Sequence, residues 1–343
     1  MNTADQAQKY HVYSDFRWPL KTGIGNVLTH LVARAPNHAR VVDISVQGGI
    51  GNPLSPLAIS WALRRAGAQA GVFWSAGFVP PSSCRLPVVV TVHDLTHLRF
   101  YSAFHRHYYN LVLRRLYRRC SAIICVSDYT RREFLAWSGM SKNKVHVVPN
   151  GVGKEYAQNQ QTYGLTYRYV LYPGNHRGYK NLARLLSAYA SSSLPGQDVH
   201  LVMTGHSNAE LVNRAHALGV ADRLHFLGRV LDADLPKIYK GAELVAFVSL
   251  YEGFGLPLVE AMASGVPVLT SNVSALPEVA GDAAWMVDPY SVESIAAGLD
   301  LLLNDAALRA DLISKGYQHV TRYDWDQSAR AVWSLVDDVY RRG

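Results

Sequence analysis

Two glutamates with seven residues between them, Glu252 and Glu260, stand in the run SLYEGFGLPLVEAMASGVPVLTS, residues 249–271. An apolar strand leads in, a glycine-bearing turn follows, and Pro257 opens a helix, where its missing N–H costs nothing. The backbone N–H groups of Phe254, Gly255 and Leu256 then face outward at a helix N-terminus, which favours an anion. Glu252 precedes that helix and Glu260 lies about one turn inside it. Taken singly, the two are equally explained as capping glutamates, because a carboxylate in the first turn suits the helix dipole. A second concentration of chemistry is YPGNHRGYKNL, residues 172–182, in which a strand ends at Gly174 and Lys180-Asn181 opens a helix. Arg177 between them is either a second cation for the same ligand or a solvated loop charge. In PVVVTVHDLTHLRF a near-continuous apolar strand delivers His93 and Asp94 at its carboxyl end, where α/β proteins place their sites. His93 and His97 have H-x3-H spacing, but that spacing makes a metal site only on one helix face, and His93 ends a strand. No metal is expected there, and a hydrogen-bonded structural histidine competes with a functional one. Finally, WPLKTGIGN, residues 18–26, brings Gly23 and Gly25 to a helix start. They permit close approach of backbone to a ligand, or simply make the turn into the helix.

These residues need parallel sheets to present them. Short β-branched runs alternate with amphipathic stretches throughout the chain, the pattern of sheets covered by helices. Strands are expected at 10–13, 41–46, 72–74, 88–93, 122–126 and 145–148, and then at 169–172, 199–204, 224–227, 244–248 and 266–270. At 343 residues the chain suits two domains of roughly 150 residues each. The polar stretch 149–167, PNGVGKEYAQNQQTYGLTY, lacks apolar periodicity and is the natural linker. The expected organisation is an N-terminal Rossmann-like domain over 1–160, a C-terminal one over 161–323, and a helix over 324–343 returning towards the first. A cleft would face the carboxyl ends of both sheets.

The formal net charge of +8 favours anionic partners: nucleic acid, anionic lipid or phosphorylated small molecules. Zinc-finger spacings and the aromatic RNP strand are absent, so charge alone does not argue for nucleic acid. The cysteines, Cys84, Cys120 and Cys125, are odd in number without CxxC spacing and read as small core residues. With no run of roughly 20 apolar residues and no secretory layout at the start, a cytoplasmic protein is expected.

The Glu252–Glu260 segment resembles the E-x7-E signature of glycosyltransferase family 4, retaining enzymes with the two-domain GT-B fold. The resemblance extends upstream through HFLGRVLDADLPKIYKGAELVAFVSL and downstream through SALPEVAGDAAWMVDP, which is similar to the family's helix and strand after the donor loop. VSDYTRREF and VVPNGV resemble the end of its N-terminal domain. The resemblance implies that Glu260 binds the ribose hydroxyls of a nucleotide and Glu252 the transferred sugar; a carboxylate only accepts hydrogen bonds and suits a vicinal diol. It implies that Lys180, with Arg177 in place of the arginine usual beside it, holds the donor diphosphate. Gly23 and Gly25 then allow approach to donor phosphates and acceptor, and His93 hydrogen-bonds a donor sugar hydroxyl. Asp94 completes an HD pair of a mannosyltransferase-like subset, orienting His93 or the acceptor. Gly174, Arg229, Phe254, Gly255 and Leu256 fall in the donor-binding segments. The family works without a bound metal, so DAD (232–234) reads as an N-cap and first helical turn.

The implied reaction is transfer of a hexose from a nucleotide diphosphate sugar to a hydroxyl, with retention. The HD pair leans towards GDP-mannose; UDP-glucose or another UDP-sugar on the same scaffold is the alternative, and an inactive nucleotide-sugar-binding partner protein is the reading from outside enzymology. A glycan or lipid-linked acceptor in surface polysaccharide synthesis is implied, with no cofactor. Arg106, Arg114, Arg115, Arg118 and Arg119 are expected to share a helix with Phe104, Tyr108, Tyr109 and Tyr117. They are either a contact for anionic membrane at the inner face of the plasma membrane or a solvated basic face.

Overall fold

A computed structural model describes residues 9–19 and 22–343. The chain divides into two compact units, one reaching to Gly151 and resuming at Trp325–Gly343, the other Val152–Asp324.

The first unit is built on six strands: β1 (Tyr10–Ser14), β2 (Ala39–Asp43), β3 (Val72–Ser75), β4 (Val88–Val92), β5 (Ala122–Cys125) and β6 (Val145–Val147). Their order is β2-β1-β3-β4-β5-β6 and every pairing is parallel. Strands β3, β4 and β5 are buried along their whole length. That is why VFWS, VVVTV and AIIC read as apolar runs without alternation: helices cover both faces. On one face Val27, Leu28 and Leu31 of the helix Gly23–Val32 pack with Val12, Trp74 and Ile124. The helix Trp325–Arg342 completes that layer, its Trp333 lying edge-on to Trp74 at 5.3 Å between centroids and donating Nε1–H to Leu31 O at 3.0 Å. Asp337 of the same helix accepts from Tyr10 and His38. On the other face Ile59 and Leu63 of the helix Ser55–Arg65 join Phe73, Val90, Leu113 and Phe134.

The first unit closes at Gly151 rather than near residue 160. Val152 forms a bridge with Asp324, and the ring of Tyr156 meets that of Tyr239 edge-on at 5.4 Å, so residues 152–160 pack with the second unit despite their polar sequence.

The second unit has β7 (Arg168–Tyr172), β8 (Val199–Met203), β9 (Leu224–Phe226), β10 (Leu244–Phe247), β11 (Val268–Ser271) and β12 (Trp285–Val287), in the order β12-β11-β10-β7-β8-β9, again all parallel. Strand β12 is absent from the runs picked out by periodicity, because it is a three-residue edge strand with Trp285 exposed; only the family resemblance indicated a strand there. Each sheet reverses direction of winding at one place, between β1 and β3 in the first and between β7 and β10 in the second. Loops leaving the carboxyl ends of such neighbours diverge and leave room for a ligand. Among the described residues no helix is long and apolar enough to cross a membrane.

Candidate functional site

In the second unit the switch strands carry the two segments that held most chemistry in the sequence. After β7 the chain passes Gly174 at φ +141°, a backbone conformation that favours glycine, and its N–H donates to Thr204 Oγ1 at 2.8 Å. His176 donates Nε2–H to Thr204 O at 2.9 Å, fixing the loop to the end of β8. A tight turn at Gly178–Lys180 then folds the chain back, and left-handed Asn181 donates Nδ2–H to Val248 O at 3.0 Å and Pro289 O at 2.7 Å. These staples make the orientation of Lys180 a consequence of the backbone. Its side chain, 10% exposed, lies over the rings of Phe247 and Tyr179, and its Nζ donates to Glu252 Oε1 at 2.6 Å. Adjacency of β7 and β10 thus turns residues 72 positions apart into an ion pair.

Glu252 enters from the loop after β10. Its N–H donates to the hydroxyl of Ser274, itself in the left-handed region at φ 62°, and its carbonyl accepts from Ala275 N. Gly255, at φ +109°, precedes the helix Leu256–Ala263, and that backbone conformation is the reason for glycine there. Pro257 lies in the first turn and no side chain caps it, which leaves amides at the Phe254–Leu256 corner for an anion. Phe254 itself is buried edge-on against Tyr323.

Neither glutamate is a cap. Glu252 pairs with Lys180, and Glu260 Oε2 accepts from Tyr239 OH at 2.6 Å, with Tyr156 hydrogen-bonded to the same carboxylate. Burial raises the Glu260 pKa to about 7, against the opposing pull of the Tyr239 and Tyr156 hydrogen bonds; the Glu155 carboxylate adds a smaller push upward. Arg177 is exposed at the start of the Lys180 turn, where its carbonyl accepts from Lys180 N at 2.8 Å. Arg229 is exposed in the loop after β9, beside Gly228, which pairs with Gly205.

In the first unit His93 directly follows β4. Its Nε2 lies 2.6 Å from Ala76 O, a carbonyl at the end of β3 that can only accept, so Nε2 carries the proton. Burial lowers the His93 pKa below the ordinary value, outweighing the Ala76 hydrogen bond and the Asp94 charge, and keeps the ring neutral. Nδ1 is therefore an acceptor, the state suited to receiving a hydroxyl proton in a hydrogen bond. Asp94 does not engage the imidazole: its Oδ1 accepts from Thr96 N at 2.9 Å and from Thr96 Oγ1, shaping the turn into the helix Thr96–Arg99. His97 stacks between Tyr101 and Tyr109, at 4.4 and 5.0 Å. Among the described residues no group of three or more His, Cys, Asp or Glu is arranged to hold a metal ion. In the glycine loop, Thr22 accepts Gly25 N–H at 3.1 Å, so that amide belongs to the helix cap, whereas Gly23 is exposed with open space around it. Residues 20 and 21 of that loop lie outside the described residues.

One further expectation needs correction. Asp234 holds the N-cap position of the helix Leu235–Lys240, but its carboxylate pairs with Lys237 Nζ at 2.9 Å instead of bonding a helix amide. The five arginines of 106–119 are not equivalent: Arg114 and Arg118 each donate Nε–H to Ser138 O, at 3.4 and 2.8 Å, closing the C-terminal end of the helix Asp128–Ser138. Sequence reasoning passed over Tyr239 and Tyr156, which hold Glu260, and Thr204, His176 and Ser274. The one available signal was that a tyrosine in a buried helix such as LPKIYK needs a partner for its hydroxyl.

Comparison with known proteins agrees with this geometry. Residues 154–319 match the model for glycosyl transferases group 1, and residues 27–156 that for glycosyltransferase family 4. The chain is 30% identical over 292 residues to the O-antigen chain mannosyltransferase B of Escherichia coli, covering 80% of this chain and 75% of that protein. It is 27% identical over 318 residues to the phosphatidyl-myo-inositol mannosyltransferase of Mycobacterium leprae, covering 89% and 78%. A longer relative, the serotype-specific mannosyltransferase WbdA of Escherichia coli, matches at 29% over 62% of this chain, which spans only 28% of that protein. Among solved structures, Anabaena HepE in complex with UDP-glucose superposes with a TM-score of 0.76 at 18% identity, over 97% of this chain and 100% of the other. The chain belongs to glycosyltransferase family 4 and carries its GT-B fold.

Proposed function

We propose that this enzyme transfers mannose from GDP-mannose to a hydroxyl of a glycan or lipid-linked acceptor in surface polysaccharide synthesis, with retention at the anomeric carbon. The observation that carries the reading is the Lys180–Glu252 pair beside the uncapped start of the helix Leu256–Ala263. A donor diphosphate entering there takes Lys180 from Glu252; the cation and the helix amides then meet the charge that grows on the leaving group. Glu252, released, accepts from hydroxyls of the sugar, Glu260 from the ribose diol, and Arg177 adds a second cation. His93 Nδ1 accepts from a sugar hydroxyl. The C1–phosphate bond breaks as the acceptor oxygen bonds C1 on the same face, and the departing phosphate takes the acceptor proton. Asp94 acts through the turn at Thr96 rather than by holding His93. The diphosphate charge is carried by protein cations and amides, so activity is expected to survive chelation of divalent metals. The site of action proposed is the cytoplasmic face of the membrane.

Mannose is favoured by the two mannosyltransferase relatives. A UDP-glucose donor is the second reading, favoured by the HepE complex. A thermal-shift panel of GDP, UDP and ADP separates them, because a ligand of the folded state raises the midpoint by mass action. A shift with UDP and none with GDP removes the mannose reading. Slow hydrolysis of the donor without acceptor is expected of an active transferase and not of a mere binding protein.

A further inference from the structure

We infer that the first unit docks on an anionic lipid surface through a face led by the helix Ser55–Arg65. Leu54, Leu57 and Trp61, spaced three and four apart, form one stripe along that helix and are 61%, 58% and 54% exposed, while Ile59 and Leu63 on the opposite side are buried in the core. Arg64 and Arg65 end the helix, and the Arg65 guanidinium stands 5.2 Å from the Trp61 ring centroid. The hydroxyl of Tyr108 donates to Pro53 O at 2.8 Å, bringing a second helical stretch against the start of the stripe. That stretch exposes Phe104 by 60% and Leu111 by 59%. Half of the exposed large apolar side chains among the described residues fall between Leu54 and Val112.

The sequence around the stripe is also strongly basic. Residues 44–127 contain nine arginines, no lysine and one acid, Asp94, so this stretch carries a net charge equal to the +8 of the whole chain and the remainder is neutral. Exposed leucine and tryptophan beside arginine, with no acid on the helix, is the composition of an interfacial helix: apolar side chains enter the acyl boundary while guanidinium groups stay with the head groups. A second copy would set like charge against like charge, which opposes a symmetric dimer on this face. A nucleic acid would leave the leucines unused. The five arginines of 106–119 are therefore the flank of the surface, with Arg114 and Arg118 already engaged at Ser138; the stripe of Leu54, Leu57 and Trp61 is its centre. None of these residues belongs to the second unit, so the inference stands or falls separately from the donor reading.

The test is co-sedimentation of the full chain with vesicles rich in phosphatidylglycerol and with phosphatidylcholine vesicles alone, at low and high salt. Binding to the anionic vesicles alone, weakened by salt, is expected. Leu57→Gln and Trp61→Gln are each expected to weaken it by roughly tenfold, and the double variant by roughly a hundredfold. Arg64→Gln with Arg65→Gln is expected to weaken it by roughly tenfold or more. All are more than half exposed or at a helix end, and an unchanged nucleotide-induced thermal shift in each variant marks the fold as intact. Equal binding to both vesicle types, or wild-type binding by Leu57→Gln and Trp61→Gln, overturns the inference. So does a concentration-dependent dimer that Trp61→Gln dissociates, which would make the stripe a contact between copies.

Discussion

Glu260→Gln should flatten two pH dependences at once. In the folded protein the Glu260 carboxyl titrates at about 7 against an ordinary value of 4.5, because it is buried. The raised value means the protonated form is favoured on folding, so its contribution to stability is full below about 4.5 and is lost as pH rises through about 7. Between pH 5 and 8 this one group lowers wild-type stability by roughly 2 to 3 kcal/mol, a slope absent from the glutamine variant, which keeps the volume and an acceptor for Tyr239. Denaturant unfolding of both proteins across that range measures the difference. Donor binding should run the opposite way. In the proposed contact the ribose diol pairs with the ionised carboxylate, which is roughly a tenth populated at pH 6 and about nine-tenths at pH 8, so affinity for a nucleotide sugar should rise about tenfold. Both phosphates of a nucleotide sugar are diesterified and stay ionised throughout, so calorimetric titration reports the protein's proton. The variant should bind more weakly and without the slope. A wild-type dissociation constant that is flat from pH 6 to 8, or the same slope in the variant, would refute both the burial and the ribose assignment.

Lys180→Met and Glu252→Gln should each cost about 3 kcal/mol of stability by leaving a nearly buried charge unpaired, and the double variant should regain most of it while all three lose transfer by orders of magnitude. Unfolding and steady-state rates together check this. Glu252→Gln alone should bind GDP more tightly than wild type, because Lys180 is no longer held; weaker binding by calorimetry would show that the pair does not compete with diphosphate. His93→Ala should lower kcat/KM roughly a hundredfold, and because burial holds the imidazole neutral, wild-type activity should show no acid limb from it above pH 6.5. Asp94→Ala should cost about 1 kcal/mol of stability through loss of the turn at Thr96, read as a lower unfolding midpoint, with a smaller effect on rate than His93→Ala.

Sequence was a good guide where chemistry and backbone demand coincide in one short segment. Gly255, Pro257 and Glu252 sit within six residues of one another, and the left-handed glycine and the helix start there are local requirements. What it hid depends on which strands become neighbours. Lys180 and Glu252 appeared as separate ligand contacts, and only the placement of β7 beside β10 makes each the other's partner in the free protein. Glu260 looked half explicable as a cap because its partners come from Tyr156 and Tyr239, in segments with no visible tie to it. Polarity misled at 152–160, where a single buried aromatic, Tyr156, outweighs a run of glutamine and asparagine and moves the unit boundary by several residues. Asp94 next to His93 invited a side-chain pair that the backbone turn takes instead.

Because the first unit is finished by Trp325–Arg342, its polypeptide is interrupted by the whole of the second. During synthesis the sheet of the first unit emerges early, yet one of its apolar faces waits for Trp333 and Val336 until the second unit has left the ribosome. The nascent chain must therefore carry the face around Trp74 and Leu31 uncovered while a complete second fold assembles. The stretch after residue 324 thus sets when the first half of the enzyme becomes a folded body, and a nascent-chain arrest series would find protease resistance of the second unit before that of the first.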